Sequence, residues 1–118
     1  FYCPTLISNI SDQASLVQEE QFGPVLPILS FKTESEVIQR ANAFSVGLGA
    51  SVWSSDPERA KKLAQKLESG IAWINARGGV RADAPFGGVK DSGFGREGGR
   101  WGFESFVSIQ TLVIAKSQ

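Results

Sequence analysis

The sequence predicts an α/β fold: a parallel β-α-β-α-β core, a long glycine-rich loop and a strand near the chain end. Three observations carry that expectation. Short apolar runs at 25–31, 50–53 and 71–75 are separated by two segments of helical periodicity. Each of those segments opens with a helix-start signal. Nine glycines then crowd residues 78–102, directly after the third run, where open parallel sheets place their ligand sites.

The first run, VLPILSF at 25–31, is short and apolar like a buried strand. Thr33-Glu34-Ser35-Glu36 follows as a Thr-x-x-Glu capping box, whose hydroxyl and carboxylate can accept from backbone donors left free at a helix start. Val37, Ile38, Ala41 and Phe44 fall on one helical face, and Gly47 and Gly49 end the pattern. A second strand is expected near 50–53. Asp56-Pro57-Glu58 opens the next helix, with Asp56 as cap, Pro57 at the first helical position and Glu58 at the positive end of the dipole. Its buried stripe is Ala60, Leu63, Ala64 and Leu67, while Lys61, Lys62 and Lys66 face water. Gly70 fits the left-handed position after that helix. IAWIN at 71–75 is the third strand, and both crossovers are long enough for parallel pairing. FVSIQTLVIA at 106–115 reads as a terminal strand.

Inside the glycine-rich loop, Gly93, Gly95 and Gly98 stand in the spacing G-x-G-x-x-G. A dinucleotide turn of that spacing needs a strand before it and a helix after it, so that backbone N–H groups converge on a pyrophosphate. The preceding PFGGVKD is glycine-rich and polar, and Gly99, Trp101 and Gly102 make a poor helix, so the fingerprint reading is set aside. Pro85, Phe86, Phe94 and Trp101 anchor the loop more than a flexible linker would be anchored, which favours a functional loop over a disordered one.

Composition narrows the function classes. At 118 residues and 42% apolar, the chain holds one domain or part of one. Twelve basic residues balance twelve acidic ones with no basic run, which removes the electrostatic footprint of nucleic acid or an anionic membrane. No apolar run approaches the roughly 20 residues of a spanning helix, and no signal segment opens the chain; it reads as soluble, intracellular and cytoplasmic. A single cysteine, Cys3, allows no internal disulfide. The absence of histidine excludes histidine-assisted proteolysis within this chain and removes the commonest metal ligand, so no metal is expected. The start at Phe1 and the lack of methionine suggest a processed product or a piece of something longer.

Two stretches then stand out together: Glu19-Glu20-Gln21-Phe22-Gly23-Pro24-Val25, and Pro85-Phe86-Gly87-Gly88-Val89-Lys90-Asp91-Ser92-Gly93-Phe94-Gly95-Arg96-Glu97. They resemble the E-E-x-F-G-P-V and P-F-G-G-x-K-x-S-G-x-G-R-E segments of the NAD(P)-dependent aldehyde dehydrogenase superfamily. Pro4-Thr5, Gly47-Leu48 and Trp73-Ile74-Asn75 fit the same pattern, and the resemblance spans essentially the whole chain. It implies an aldehyde dehydrogenase-type catalytic domain, of which residues 1–105 would be the C-terminal part and 106–118 a terminal strand used in subunit contacts, in a homodimer or homotetramer. The family's chemistry uses a cysteine thiolate, hydride transfer to NAD or NADP and a glutamate that activates water. Both of those residues would lie upstream, leaving this chain with no catalytic residue and inactive alone. Cys3, beside Pro4-Thr5, is then an inert thiol rather than the nucleophile.

By the same resemblance, Glu20 accepts hydrogen bonds from the nicotinamide ribose hydroxyls, as an ionised carboxylate with two acceptor oxygens can, and Phe22 lies beside the nicotinamide ring. The competing readings are a solvated helix-end glutamate and a core phenylalanine. The segment between Asn75 and Pro85 would line the aldehyde entrance, with Phe86 as an apolar wall. Arg77 and Arg81 there would draw aldehydes bearing a carboxylate or phenolate, unless they point into solvent or pair with Asp83. Lys90, Ser92, Arg96 and Glu97 would fix the loop. Against the enzymatic reading stand a non-catalytic α/β module with a structural or oligomerisation role and an independent dinucleotide-binding domain.

Overall fold

The computed structural model describes residues 1–116 and divides into two compact units, one from Phe1 to Phe44 and one from Ser45 onward. In the first unit, strands β1 (Thr5–Ser8) and β2 (Val25–Ile28) pair in parallel, Thr5 opposite Val25 through Ser8 opposite Ile28. Thr5, Ile7, Val25 and Pro27 turn inward, whereas Leu6, Leu26 and Ile28 stand exposed on the other face. Pro27 has no N–H to give, which a strand paired on one edge tolerates. Helix α1 (Ser15–Gln18) is a single turn with no buried residue.

Helix α2 (Glu34–Asn42) starts where the capping box places it. The Thr33 hydroxyl accepts from the Glu36 N–H at 3.2 Å, and the Glu36 carboxylate reaches back to the Lys32 N–H at 2.9 Å, one residue beyond the reciprocal partner of the standard box. That backbone bond comes first among the causes that hold the Glu36 carboxyl below the usual range. Val37, Ile38 and Phe44 are half-buried, but Ala41 is exposed, so the buried face is narrower than the spacing predicts.

The second unit holds the β-α-β crossover. Strand β4 (Gly49–Val52) pairs in parallel with β5 (Ile71–Ile74), Gly49 opposite Ile71, and helix α3 (Pro57–Ala64) packs on both. Asp56 caps α3 by accepting from the Arg59 N–H at 3.0 Å. Ala60 and Ala64, 0% and 8% exposed, are the only buried apolar side chains among the described residues, and their small size lets the helix lie close to the strands. The helix ends at Ala64, and Leu67 is carried by turns beyond it, half-buried. Gly70 is not left-handed; glycine is needed there because a Cβ would overlap the backbone carbonyl of Gly87. Two shorter pieces complete the unit: β3 (Val46–Gly47), antiparallel to β6 (Val89–Lys90), and helix α4 (Gly99–Glu104).

The α/β character and the parallel pairs stand, but the three expected strands do not form one ladder. Each strand pair is its own two-stranded sheet, and β2 takes β1 as its partner. The strand expected at 106–115 is also absent: among the described residues of that stretch the backbone forms no ladder, and Phe106, Ile109, Leu112, Val113 and Ile114 are exposed. Alternating apolar residues supply β propensity, yet a strand exists only where a partner edge meets it. Ser117 and Gln118, the end of the predicted oligomerisation segment, lie outside the described residues.

Candidate functional site

The Glu20 segment hangs between two anchors. On one side, the Gln18 side chain donates to the Asp12 carbonyl at 2.5 Å and the Glu19 N–H closes α1 on the Ser15 carbonyl at 2.8 Å. On the other, the Gln21 side chain donates to the Val25 carbonyl at 2.5 Å, at the start of β2. Between them Glu20 is exposed and its carboxylate makes no hydrogen bond or ion pair within the described residues, while Phe22 is 97% exposed. A bare phenylalanine and an uncommitted carboxylate two residues apart form a surface with an apolar plate and a bidentate acceptor. Phe22 is therefore no core residue of this chain.

Behind α1 stands Arg40, 28% exposed at its side chain, which sequence reasoning did not single out. Its guanidinium donates to Asp12 Oδ1 at 2.5 Å, to the Ser30 carbonyl at 2.7 Å and to Glu36 Oε1 at 3.2 Å. The Asp12 hydrogen bond leads the causes that raise the Arg40 pKa. Asp12 lies 28 residues away in sequence, and no local motif signals the pairing.

The glycine-rich loop is a fastened ring. Phe86 and Glu97 exchange both backbone bonds, at 2.8 and 2.7 Å, which closes it. Arg96 spans the interior, donating to the carbonyls of Gly88 at 2.8 Å and Gly95 at 2.6 Å. The ring is then tied outward: the Ser92 hydroxyl accepts from the Gly47 N–H at 2.9 Å, the Asp91 N–H donates to Ser45 at 2.9 Å, and Lys90 pairs with Glu68 at 2.7 Å. Lys90, Ser92 and Arg96 thus act as the loop-fixing groups expected of them. Phe86 is half-buried and, with Leu48, Phe94 and Arg96, borders a cavity of about 230 Å³. Gly98, at φ +68°, leads into α4, so a short helix does follow the G-x-G-x-x-G spacing. The preceding β6 is two residues long and antiparallel, which is no pyrophosphate-binding β-α turn.

The two arginines between Asn75 and Pro85 differ. Arg81 makes a two-pronged bond to Asp83, at 2.9 and 2.6 Å, with both side chains largely in solvent. Hydrogen bonding to Asp83 raises the Arg81 pKa, and Arg81 in turn lowers that of Asp83. Arg77 is exposed with no partner within the described residues. Cys3 is an exposed free thiol, and no group of acidic, cysteine or histidine side chains among the described residues could hold a metal ion.

Comparison with known proteins bears on this geometry. The aldehyde dehydrogenase family model matches residues 1–112. A betaine aldehyde dehydrogenase from Cereibacter sphaeroides is 44% identical over 94% of this chain and 23% of its own length, and human retinaldehyde dehydrogenase 3 is 46% identical over 97% and 22%. The crystal structure of a Staphylococcus aureus betaine aldehyde dehydrogenase in complex with NAD+ superposes with a TM-score of 0.84 at 45% identity, over 90% of this chain and 21% of that one. The chain therefore spans between a fifth and a quarter of the length of these relatives. With sequence and fold agreeing over nearly all of its residues, the chain belongs to the aldehyde dehydrogenase family.

Proposed function

We propose that this chain is the C-terminal quarter of an enzyme that oxidises an aldehyde to a carboxylic acid with NAD(P)+. In that reading it supplies contacts to the nicotinamide ribose and the wall of the aldehyde tunnel, and the thiolate and water-activating glutamate come from polypeptide outside it. The observation that carries the reading is the Glu20–Phe22 surface. An unpaired carboxylate on a loop anchored at both ends fits a pair of ribose hydroxyls, and an uncovered aromatic face fits a flat heteroaromatic ring. When bound, the nicotinamide supplies the hydride acceptor. Glu20 fixes the ribose by accepting hydrogen bonds from it, Phe22 limits the ring's positions, and Phe86, held by the closed ring of 86–97, keeps water from one side of the substrate. The contacts that separate NAD from NADP lie outside this chain.

Arg77 is the residue we assign to selecting an aldehyde that bears a carboxylate or phenolate, because its guanidinium is free where that of Arg81 is bound to Asp83. Among the described residues no helix is long and apolar enough to cross a membrane. The free thiol of Cys3 accords with a reducing compartment, for which we retain the cytoplasm. We prefer the enzymatic reading to the alternative of a self-standing non-catalytic module because Ala60 and Ala64 are the only buried apolar side chains among the described residues.

The test is an assay of the full-length protein and of this chain alone for aldehyde-dependent NAD(P)H formation. The full-length protein should turn over, with an intact mass about four times that of this chain, and the isolated chain should not. E20Q in the full-length protein should slow the hydride step in single-turnover measurements. An unchanged hydride step would remove Glu20 from the cofactor site, and turnover by the isolated chain that C3S abolishes would make Cys3 the nucleophile.

A further inference from the structure

We infer that Arg40 is a positioning residue for the Glu20 carboxylate, acting through Asp12 and Gln18. The inference rests on the reading that Glu20 faces the nicotinamide ribose. Helix α1, which ends one residue before Glu19, buries nothing, and it faces α2 across a cavity of about 310 Å³ bordered by Val17, Leu29, Phe31, Val37 and Phe44. Packing therefore does little to fix its position. What fixes it is a polar chain: Arg40, itself bound to α2 through Glu36 and to the end of the β2 segment through the Ser30 carbonyl, holds the Asp12 carboxylate. The Asp12 carbonyl then accepts from the Gln18 side chain, two residues before Glu20.

Every link is a directional bond, two of them at 2.5 Å, so a guanidinium on α2 sets the height and tilt of the turn from which Glu20 projects. Arg40 suits this task because its planar fork serves three acceptors at once, which a lysine ammonium on a flexible stem does with less geometric constraint. Loss of the chain should leave Glu20 chemically intact and misplaced. Displacements of about 1 Å matter to a transfer step that depends on orientation.

The experiment uses the full-length enzyme with four variants: R40M, R40K, Q18L and E20Q. Calorimetric titration gives the Kd for NAD+ and NADP+, steady-state kinetics give the aldehyde KM, and single-turnover traces give the hydride step. R40M and Q18L should each weaken cofactor binding and slow the hydride step by about three- to tenfold, with the aldehyde KM within about twofold of wild type. R40K should recover part of the loss. Gln18 is exposed, so Q18L decides the matter if R40M fails to fold. Wild-type cofactor Kd and hydride rate in Q18L, beside an impaired E20Q, would overturn the inference and leave the Glu20 reading standing. Equal losses of cofactor and aldehyde binding with a lowered Tm would reduce Arg40 to a structural role and overturn it as well. An unimpaired E20Q would remove the Glu20 reading, and this inference with it.

Discussion

Single residues divide sharply by whether a partner is already taken. Arg77 and Arg81 share a segment and a chemistry, but Arg81 is bound to Asp83 through Nε and Nη2 whereas Arg77 has no partner within the described residues. In the full-length enzyme, R77L should therefore lower kcat/KM for an acid semialdehyde by about tenfold while sparing a neutral aldehyde of similar length. R81L should change both by less than about twofold. Equal losses on the two substrates for R77L would mark a structural role instead. The Arg81–Asp83 pair also has a predictable pH response. Asp83 is depressed in the folded chain, so its contribution is present above the ordinary carboxylate range and lost as pH falls through the lowered value, below 3.8. Hydrogen bonding to Asp83 raises Arg81 above the ordinary guanidinium range, which places its loss beyond any working pH. Because both side chains are largely exposed, solvent screens the pair, and a D83N variant should have the thermal stability of wild type at pH 7. Gly70 is the opposite kind of residue. G70A drives a methyl into the Gly87 carbonyl and should cost more than about 2 kcal/mol, seen as a lowered midpoint in denaturant.

Secondary-structure elements were legible in proportion to how local their causes are. Helices α2 and α3 announce themselves within four residues, through Thr33 to Glu36 and Asp56 to Arg59, and the structure places both starts there. T33A should accordingly remove about 1 kcal/mol from the unit that holds Glu20, measurable as a lower Tm of the full-length enzyme. Strand β1 escaped notice because Thr5 to Ser8 is a strand only by virtue of Val25 to Ile28, twenty residues on. The segment at 106–115 misled for the complementary reason: it has the composition of a strand but pairs with no other strand among the described residues. The candidate site shows the same split. Glu20, Phe22 and Phe86 could be singled out as candidates because contiguous motifs carry them, whereas Arg40 joins Asp12 across 28 residues with nothing in either neighbourhood to mark it.

For the molecule as a whole, surface area is the telling quantity. The chain exposes 9860 Å², where a folded monomer of its mass would expose about 6,200 Å². Large apolar side chains such as Phe22, Phe94, Phe106, Ile109 and Leu112 are among those exposed. Patches of that extent belong to surfaces that another polypeptide covers. The isolated chain should bind an environment-sensitive apolar dye and unfold without a sharp cooperative transition by near-ultraviolet circular dichroism. A sigmoidal melt with no dye binding would show that it stands alone. We further propose that residues after Ser105 serve subunit contacts, and removing them should shift the full-length enzyme to a smaller species in light scattering.

The two parallel strand pairs have one more consequence. Each is a sheet of two, so among the described residues the outer edges of each have no ladder partner, although Pro27 has no N–H to offer and the Ile71 carbonyl is taken by the Ser69 hydroxyl. Such edges template the addition of further strands from neighbouring molecules. Made on a ribosome by itself, the chain should therefore collect in insoluble deposits whose infrared amide band shows more β structure than the chain itself contains. A lysine placed at Leu6 or Leu26, on the bare face of β1 and β2, should slow that deposition.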